Sequence, residues 1–182
     1  MSGENQGKEY IKIIADIIEK ELELEPEDRL SENPTDRRVF IYNQGFILPT
    51  YKYMFIVLSE VSNIIIANNN YPMTKENGSL DERQELIVKK EIGVDVMSRN
   101  AEARQRKEEV VMALVSRYSQ GQQEANGFRL FPFSVSFLDI SQVEGAAQIN
   151  RYRASLICHV KYEKQKAVDY FEAFDYNIVT NS

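Results

Sequence analysis

The chain has 182 residues, 43% hydrophobic and 27% charged, with 22 Lys and Arg against 28 Asp and Glu for a net charge of -6. That is one ordinary globular domain, able to bury roughly 70% of its unfolded surface without help from a disulfide or metal. The acidic balance argues against a protein built to grip nucleic acid, and one Cys with one His leaves too few ligands for a zinc site and no partner for an internal disulfide.

Residues 1–8 show no cationic region followed by an apolar stretch, so no signal peptide is expected, and Ser2 excludes a myristoylation site. Residues 8–24 predict a helix: Tyr10, Ile11, Ile14, Ile17, Ile18 and Leu22 recur at helical spacing. Glu25 to Asp36 carries Pro26, Pro34 and a run of acids, and reads as a loop. Arg38 to Tyr42 predicts a short strand, Asn43-Gln44-Gly45 a turn, and Phe46 to Pro49 an extended piece. Tyr53 to Ile66 is rich in β-branched and aromatic residues and reads as a long buried strand, with a helix as the competing reading. Asn68 to Asp81, with Pro72 and Gly78, predicts a polar loop. No stretch reaches the length of a membrane span.

Residues 86–96 alternate. Leu86, Val88, Ile92, Val94 and Val96 share one face, interrupted by Lys90, while Ile87, Lys89, Glu91, Gly93, Asp95 and Met97 form a wetter one. Arg99 to Gln120 predicts one long helix with Asn100 as its N-cap and Gly121 as a candidate C-cap, or a run on to Asn126-Gly127. Its core face is Ala103, Lys107, Val110, Val111, Leu114 and Tyr118, and Glu102–Arg106 and Arg104–Glu108 are pairs four apart. Phe128 to Ile140 and Ile149 to Tyr162 alternate as strands and predict an antiparallel pair, joined by a turn over Ser141 to Gln148. Residues 165–182 end in an aromatic-acidic segment with no clear period.

Little in the chain points to catalysis. Cys158 and His159 are adjacent, but neighbouring side chains of a strand point to opposite faces, so a nucleophile–base pair is not expected. The eight glycines form no phosphate-binding spacing. The acid pairs Asp81-Glu82, Glu108-Glu109 and Asp139 with Glu144 fit chance in a chain with 28 acids. Arg99, Arg104, Arg106 and Lys107 cluster at a helix start, interleaved with Glu102, Glu108 and Glu109, which suits a face of paired charges better than a phosphate site. Arg151, Arg153, His159 and Lys161 either meet nucleic acid or pair across strands with Glu91 and Asp95. The tail Tyr170-Phe171-Glu172-Ala173-Phe174-Asp175-Tyr176 either packs on its own sheet or docks on a neighbour.

The stretch Asp95-Val96-Met97-Ser98-Arg99-Asn100-Ala101-Glu102-Ala103-Arg104-Gln105-Arg106-Lys107-Glu108-Glu109, followed by Tyr118-Ser119-Gln120 and Gln123-Glu124-Ala125-Asn126, resembles tail terminator (tail-completion, neck) proteins of tailed bacteriophages. Asp139-Ile140-Ser141 to Glu144-Gly145, Asn150-Arg151-Tyr152 and Asp169-Tyr170-Phe171 add to the likeness, which covers about 80 residues. The elements in chain order predict a single α+β domain, with residues 1–36 a helix and acidic loop, 37–164 a mostly antiparallel sheet with one long helix, and 165–182 an aromatic-acidic end, and the resemblance implies the same class. Both helices would lie on one face of the sheet. It further implies a hexameric ring in the virion neck, assembled in the host cytoplasm, that ends tail growth. Its partners would be the tail tube protein and the head–tail connector or stopper protein, with DNA passing through the lumen without sequence-specific binding. No catalysis, cofactor, metal or membrane is implied. Subunit contacts would fall on Arg99, Arg104, Arg106, Glu108 and Arg151 and on Tyr170, Phe171 and Phe174. The alternatives are a connector, stopper or other neck protein, or a non-catalytic adaptor module outside a virion. An enzyme would require a convergent pocket of carboxylates with raised pKa values.

Overall fold

The computed structural model describes residues 10–24, 38–42, 52–74, 80–131, 135–144 and 147–167. Its elements are α1 (Tyr10–Glu21), β1 (Val39–Ile41), β2 (Phe55–Thr74), β3 (Leu80–Ser98), α2 (Glu102–Val115), α3 (Arg117–Ala125), β4 (Phe128–Phe131), β5 (Leu138–Asp139), β6 (Gln142–Glu144) and β7 (Ala147–Ala167). This is an α+β fold on an open sheet of order β1-β2-β3-β7-β4, with β5 and β6 also paired to β7. All strand pairs are antiparallel except β1 with β2.

The helical stripe of α1 does what its spacing predicts. Ile14, Ile17 and Ile18 are fully buried, each contributing about 2–3 kcal/mol of apolar burial. The helix ends by wrapping back: the Leu24 amide donates to the Glu19 carbonyl at 3.2 Å, and Glu23 takes a φ of 47°. That left-handed turn normally falls to glycine. Leu24, buried at 6% exposure, packs into the core beyond it.

One sheet face carries the main core. Ile56, Leu58, Ile92, Val94, Val96 and Leu156 pack there with buried side chains of α1 and α2. The other face was expected to be wet, yet Asp95 and Met97 are 2% and 4% exposed. Met97 lies opposite Phe55, and Asp95 opposite Val57. Phe55, Val57 and Met97 form a second small cluster with Phe40, whose ring meets that of Phe55 edge-on with centroids 6.3 Å apart. The cover comes from neighbouring strands and is invisible to a period count on one strand.

Three expectations need correction. The polar loop over 68–81 is largely strand: β2 runs to Thr74 and β3 begins at Leu80, so the two form a long hairpin. Its register shifts between Glu60 and Ser62 and between Ile65 and Ala67 absorb the extra residues. The single long helix is two helices. Ser116 is extended (φ -61°, ψ 160°), and its hydroxyl accepts from the Ser119 amide at 3.0 Å as the N-cap of α3. Gly121 caps nothing; α3 continues to Ala125, and Gly127, at φ 66°, turns the chain into β4. Of the strand expected over 128–140, the described residues form β4 and β5 with 135–137 not in a strand, and the turn over 141–148 contains the β6–β7 pairing.

The break at Ser116 has a physical cause. Ser119 and Gln123 sit one turn apart and are both buried. The Ser119 hydroxyl donates to the Leu114 carbonyl at 2.8 Å, the Gln123 amide donates to the Ser119 hydroxyl at 2.9 Å, and the Gln123 carbonyl accepts from the Leu130 amide at 2.8 Å. Carbonyls freed at the break find partners here, and the network joins the helices to β4.

β2, β3 and β7 are 20, 19 and 21 residues long, so each spans on the order of 60 Å. Past Ile65, where the pairing of β4 to β7 ends, they form a three-stranded arm.

Candidate functional site

The joint between β3 and α2 carries the stretch singled out from the sequence, and it is tied by side chains at every step. The Ser98 hydroxyl donates to the Asn100 carbonyl at 2.6 Å and accepts from the Ala103 amide at 3.0 Å. The Asn100 side-chain oxygen accepts from the Glu102 amide at 2.9 Å. Asn100 and Ser98 thus share the capping expected of Asn100 alone, while Ala101 holds the cap position. Asn150 donates to the Asn100 carbonyl at 2.6 Å, and the Arg99 amide donates to the Lys52 carbonyl at 2.9 Å. The turn is fixed to β7 on one side and to the segment leading into β2 on the other.

The residues predicted to form a subunit contact differ in how far they are engaged within the subunit. Arg106 is engaged within the subunit: it donates to Glu102 at 3.1 Å, to Glu109 at 2.8 Å and to the Leu22 carbonyl at 3.1 Å. Burial disfavours its charge, but the two carboxylates outweigh that and raise its pKa. Arg106 therefore locks α2 to the end of α1. Arg104 is exposed on the same helix. Glu108 pairs with Lys107, which lowers the Glu108 pKa. Arg104 and Lys107 also stand close enough to Asp139 to help hold its carboxyl low, behind the larger effect of its hydrogen bonds with Ser141. Tyr170, Phe171 and Phe174 lie outside the described residues.

Arg151 was placed in a contact face, and Arg153 was weighed for pairing with Asp95. The structure brings both to Asp95. Arg151 donates to its two carboxylate oxygens at 3.2 and 3.1 Å, and Arg153 at 2.8 and 2.6 Å. Burial alone would raise the Asp95 pKa, but the paired forks of Arg153 and Arg151 bring it below the ordinary carboxylate range. The cluster borders a depression of about 520 Å³ on the outer sheet face, shared with Tyr42, Ser59 and Met97. Asp95 accepts four charged donors and has little capacity left for proton transfer. What the site presents outward is two guanidiniums, 31% and 44% exposed.

Sequence reasoning missed a second polar cluster, where α1 meets the root of the arm. The Tyr10 hydroxyl donates to Glu60, and Lys90 donates to both oxygens of Glu60 at 3.0 Å. The Lys90 ammonium also lies 4.9 Å from the Tyr10 ring centroid. The signal was there: Lys90 interrupts an otherwise apolar strand face, and a buried ammonium asks for an acid nearby. Cys158 shares this core, fully buried, and burial pushes its thiol up to about 12. His159 faces the other way, against the Phe131 ring.

Among the described residues, no group of three or more His, Cys, Asp or Glu could hold a metal ion. No helix among them is long and apolar enough to cross a membrane. No protein-family model matches the chain, and no curated protein matches it either.

Proposed function

We propose that the protein is a structural subunit of a bacteriophage head–tail junction. It forms a ring of six copies that caps the tail tube, ends tail growth and offers a surface to the head connector, with DNA passing through the lumen. The reading rests on the resemblance carried by residues 95–109 and their companions. The observation that supports it best is the arm. A long extension whose outer strand exposes Ile64, Ile65 and Ile66 suits a subunit that is completed by neighbours.

The chemistry is that of assembly. The side-chain ties around Ser98 and Asn100 hold the charged face of α2 at a fixed angle to the sheet. A cyclic ring needs two different faces per subunit, one for each neighbour. Exposed Arg104 on α2 and the aromatic end at Phe171 are proposed to lie on such faces. The net charge of -6 leaves a DNA channel without a strong grip on phosphates.

Native mass with negative-stain imaging tests the reading. A hexamer of 21.1 kDa chains weighs about 127 kDa and shows a central hole. Arg104→Glu and Phe171→Ala are expected to shift the population to monomer while leaving circular dichroism unchanged. A wild-type chain that forms no ring, alone or on purified tail tubes, refutes the proposal.

A further inference from the structure

Residues 61–74 of β2 contain no Asp, Glu, Lys or Arg, in a chain where those types fill 27% of positions. Val61, Ile64, Ile65 and Ile66 are 58, 58, 64 and 47% exposed, and Tyr71 and Met73 extend the same apolar run. Neighbouring side chains of a strand point to opposite faces, so these residues leave both faces of β2 apolar along its open edge. β1 pairs with β2 only as far as Leu58. Past it, no strand among the described residues lies on that side of β2. Natural edges of this length are guarded by charge, especially lysine. This one has bulges near Val61 and Ile66 and a proline at 72, but no charge.

The arm has a second open edge. Residues 163–167 of β7 pair with β3 and, among the described residues, with no other strand. Lys164 and Lys166 are exposed there. β2 and β7 are both antiparallel to β3, so they run parallel to each other.

We infer that the uncharged edge of β2 is covered by a second copy of this chain, whose β7 edge pairs beside it head to tail. These edges can meet in three ways. A β7–β7 contact brings lysines against lysines, which is unfavourable. A β2–β2 contact is twofold and leaves every β7 edge open. A β2–β7 contact sets the lysines beside uncharged side chains and covers both edges of each arm through one repeated contact, which closes when the ring closes. The inference rests on the ring reading above and names the surface that makes the ring. At level register, Asn70 and Lys164 both stand across from Gln84, which sets where the copies meet.

The test uses the full chain with two added cysteines, Asn70→Cys and Lys164→Cys, and mild oxidation to a disulfide, which bridges adjacent strands but not the two-strand gap between these positions within one copy. The second cysteine is moved in turn to Gln165 and Lys166 to cover the register. Native Cys158 is buried and does not compete. The double variant is expected to give a covalent ladder up to ring size on a denaturing gel, and each single variant only monomer. Tyr71→Lys with Met73→Lys, which stand level with Gln165 and Ala167, is expected to weaken assembly by about tenfold or more with circular dichroism unchanged. A dimer from Asn70→Cys alone would show twofold pairing and overturn the inference. Rings of full native mass without a ladder overturn it too, and leave the ring reading standing. Absence of both rings and ladder overturns both.

Discussion

Asp95→Asn is the sharpest test of how the outer sheet face is held. The change keeps volume and one acceptor but removes the charge that four guanidinium donors share, and it turns an amide N–H₂ toward one arginine. The Asp95 side chain is 3% exposed, while Arg151 and Arg153 are 31% and 44% exposed. Breaking a fully buried pair costs about 3–5 kcal/mol. Here the arginines can turn to water, so the loss should be closer to about 2 kcal/mol. For a chain of this size that is a fall in Tm of roughly 4–8 °C. The pH dependence has a definite sign. The Asp95 pKa is lowered by folding, so its contribution is full above the unfolded value and disappears as pH falls through the folded one. Urea unfolding of both proteins should therefore show a constant gap from pH 5 to 7. The gap should shrink from about pH 4 downward. Glu60 titrates in the same acid range, but it is present in both proteins and cancels in the difference. An equal gap at pH 7 and pH 2.5, or no gap at pH 7, would refute the argument.

Other changes probe the arm root and the core. A Cβ on Gly93 would stand 2.7 Å from the Ser59 hydroxyl and 3.2 Å from a methyl of Val61. Gly93→Ala should cost about 1–2 kcal/mol, and adding Ser59→Ala should recover most of it; additive losses in a double-mutant cycle would show that the crowding lies elsewhere. Cys158 should resist thiol reagents at pH 8 in the folded protein and react at once in denaturant, since burial holds its thiol near about 12. Rapid labelling under native conditions would mean that this part of the core opens.

Much of the fold was legible because it follows from period. Tyr10, Ile14, Ile17 and Ile18 of α1 and Leu22 just past its end are buried as their spacing requires, with Ile11 partly buried beside them. The alternation in β3 and β7 places Val94, Val96, Ala154 and Leu156 inside. Alternation also put Asp95, Arg151 and Arg153 on one face, which made their ion pairs foreseeable. The adjacent Cys158 and His159 were separable by the same rule.

Other features needed the third dimension. Residues 68–74 read as loop because Asn and Pro are poor strand formers, yet pairing with β3 holds them extended, and Pro72 is tolerated on an edge. The helix period ran unbroken through Ser116, and only the buried partners of Ser119 and Gln123 made a break there favourable. Burial of Asp95 and Met97 came from Phe55 and Val57, whose register across β2 and β3 no single strand reveals. The sequence by itself determined which faces of each element are apolar, because that depends on spacing alone. The tertiary structure decided where elements stop and which polar groups are buried, because both depend on partners far away in the chain.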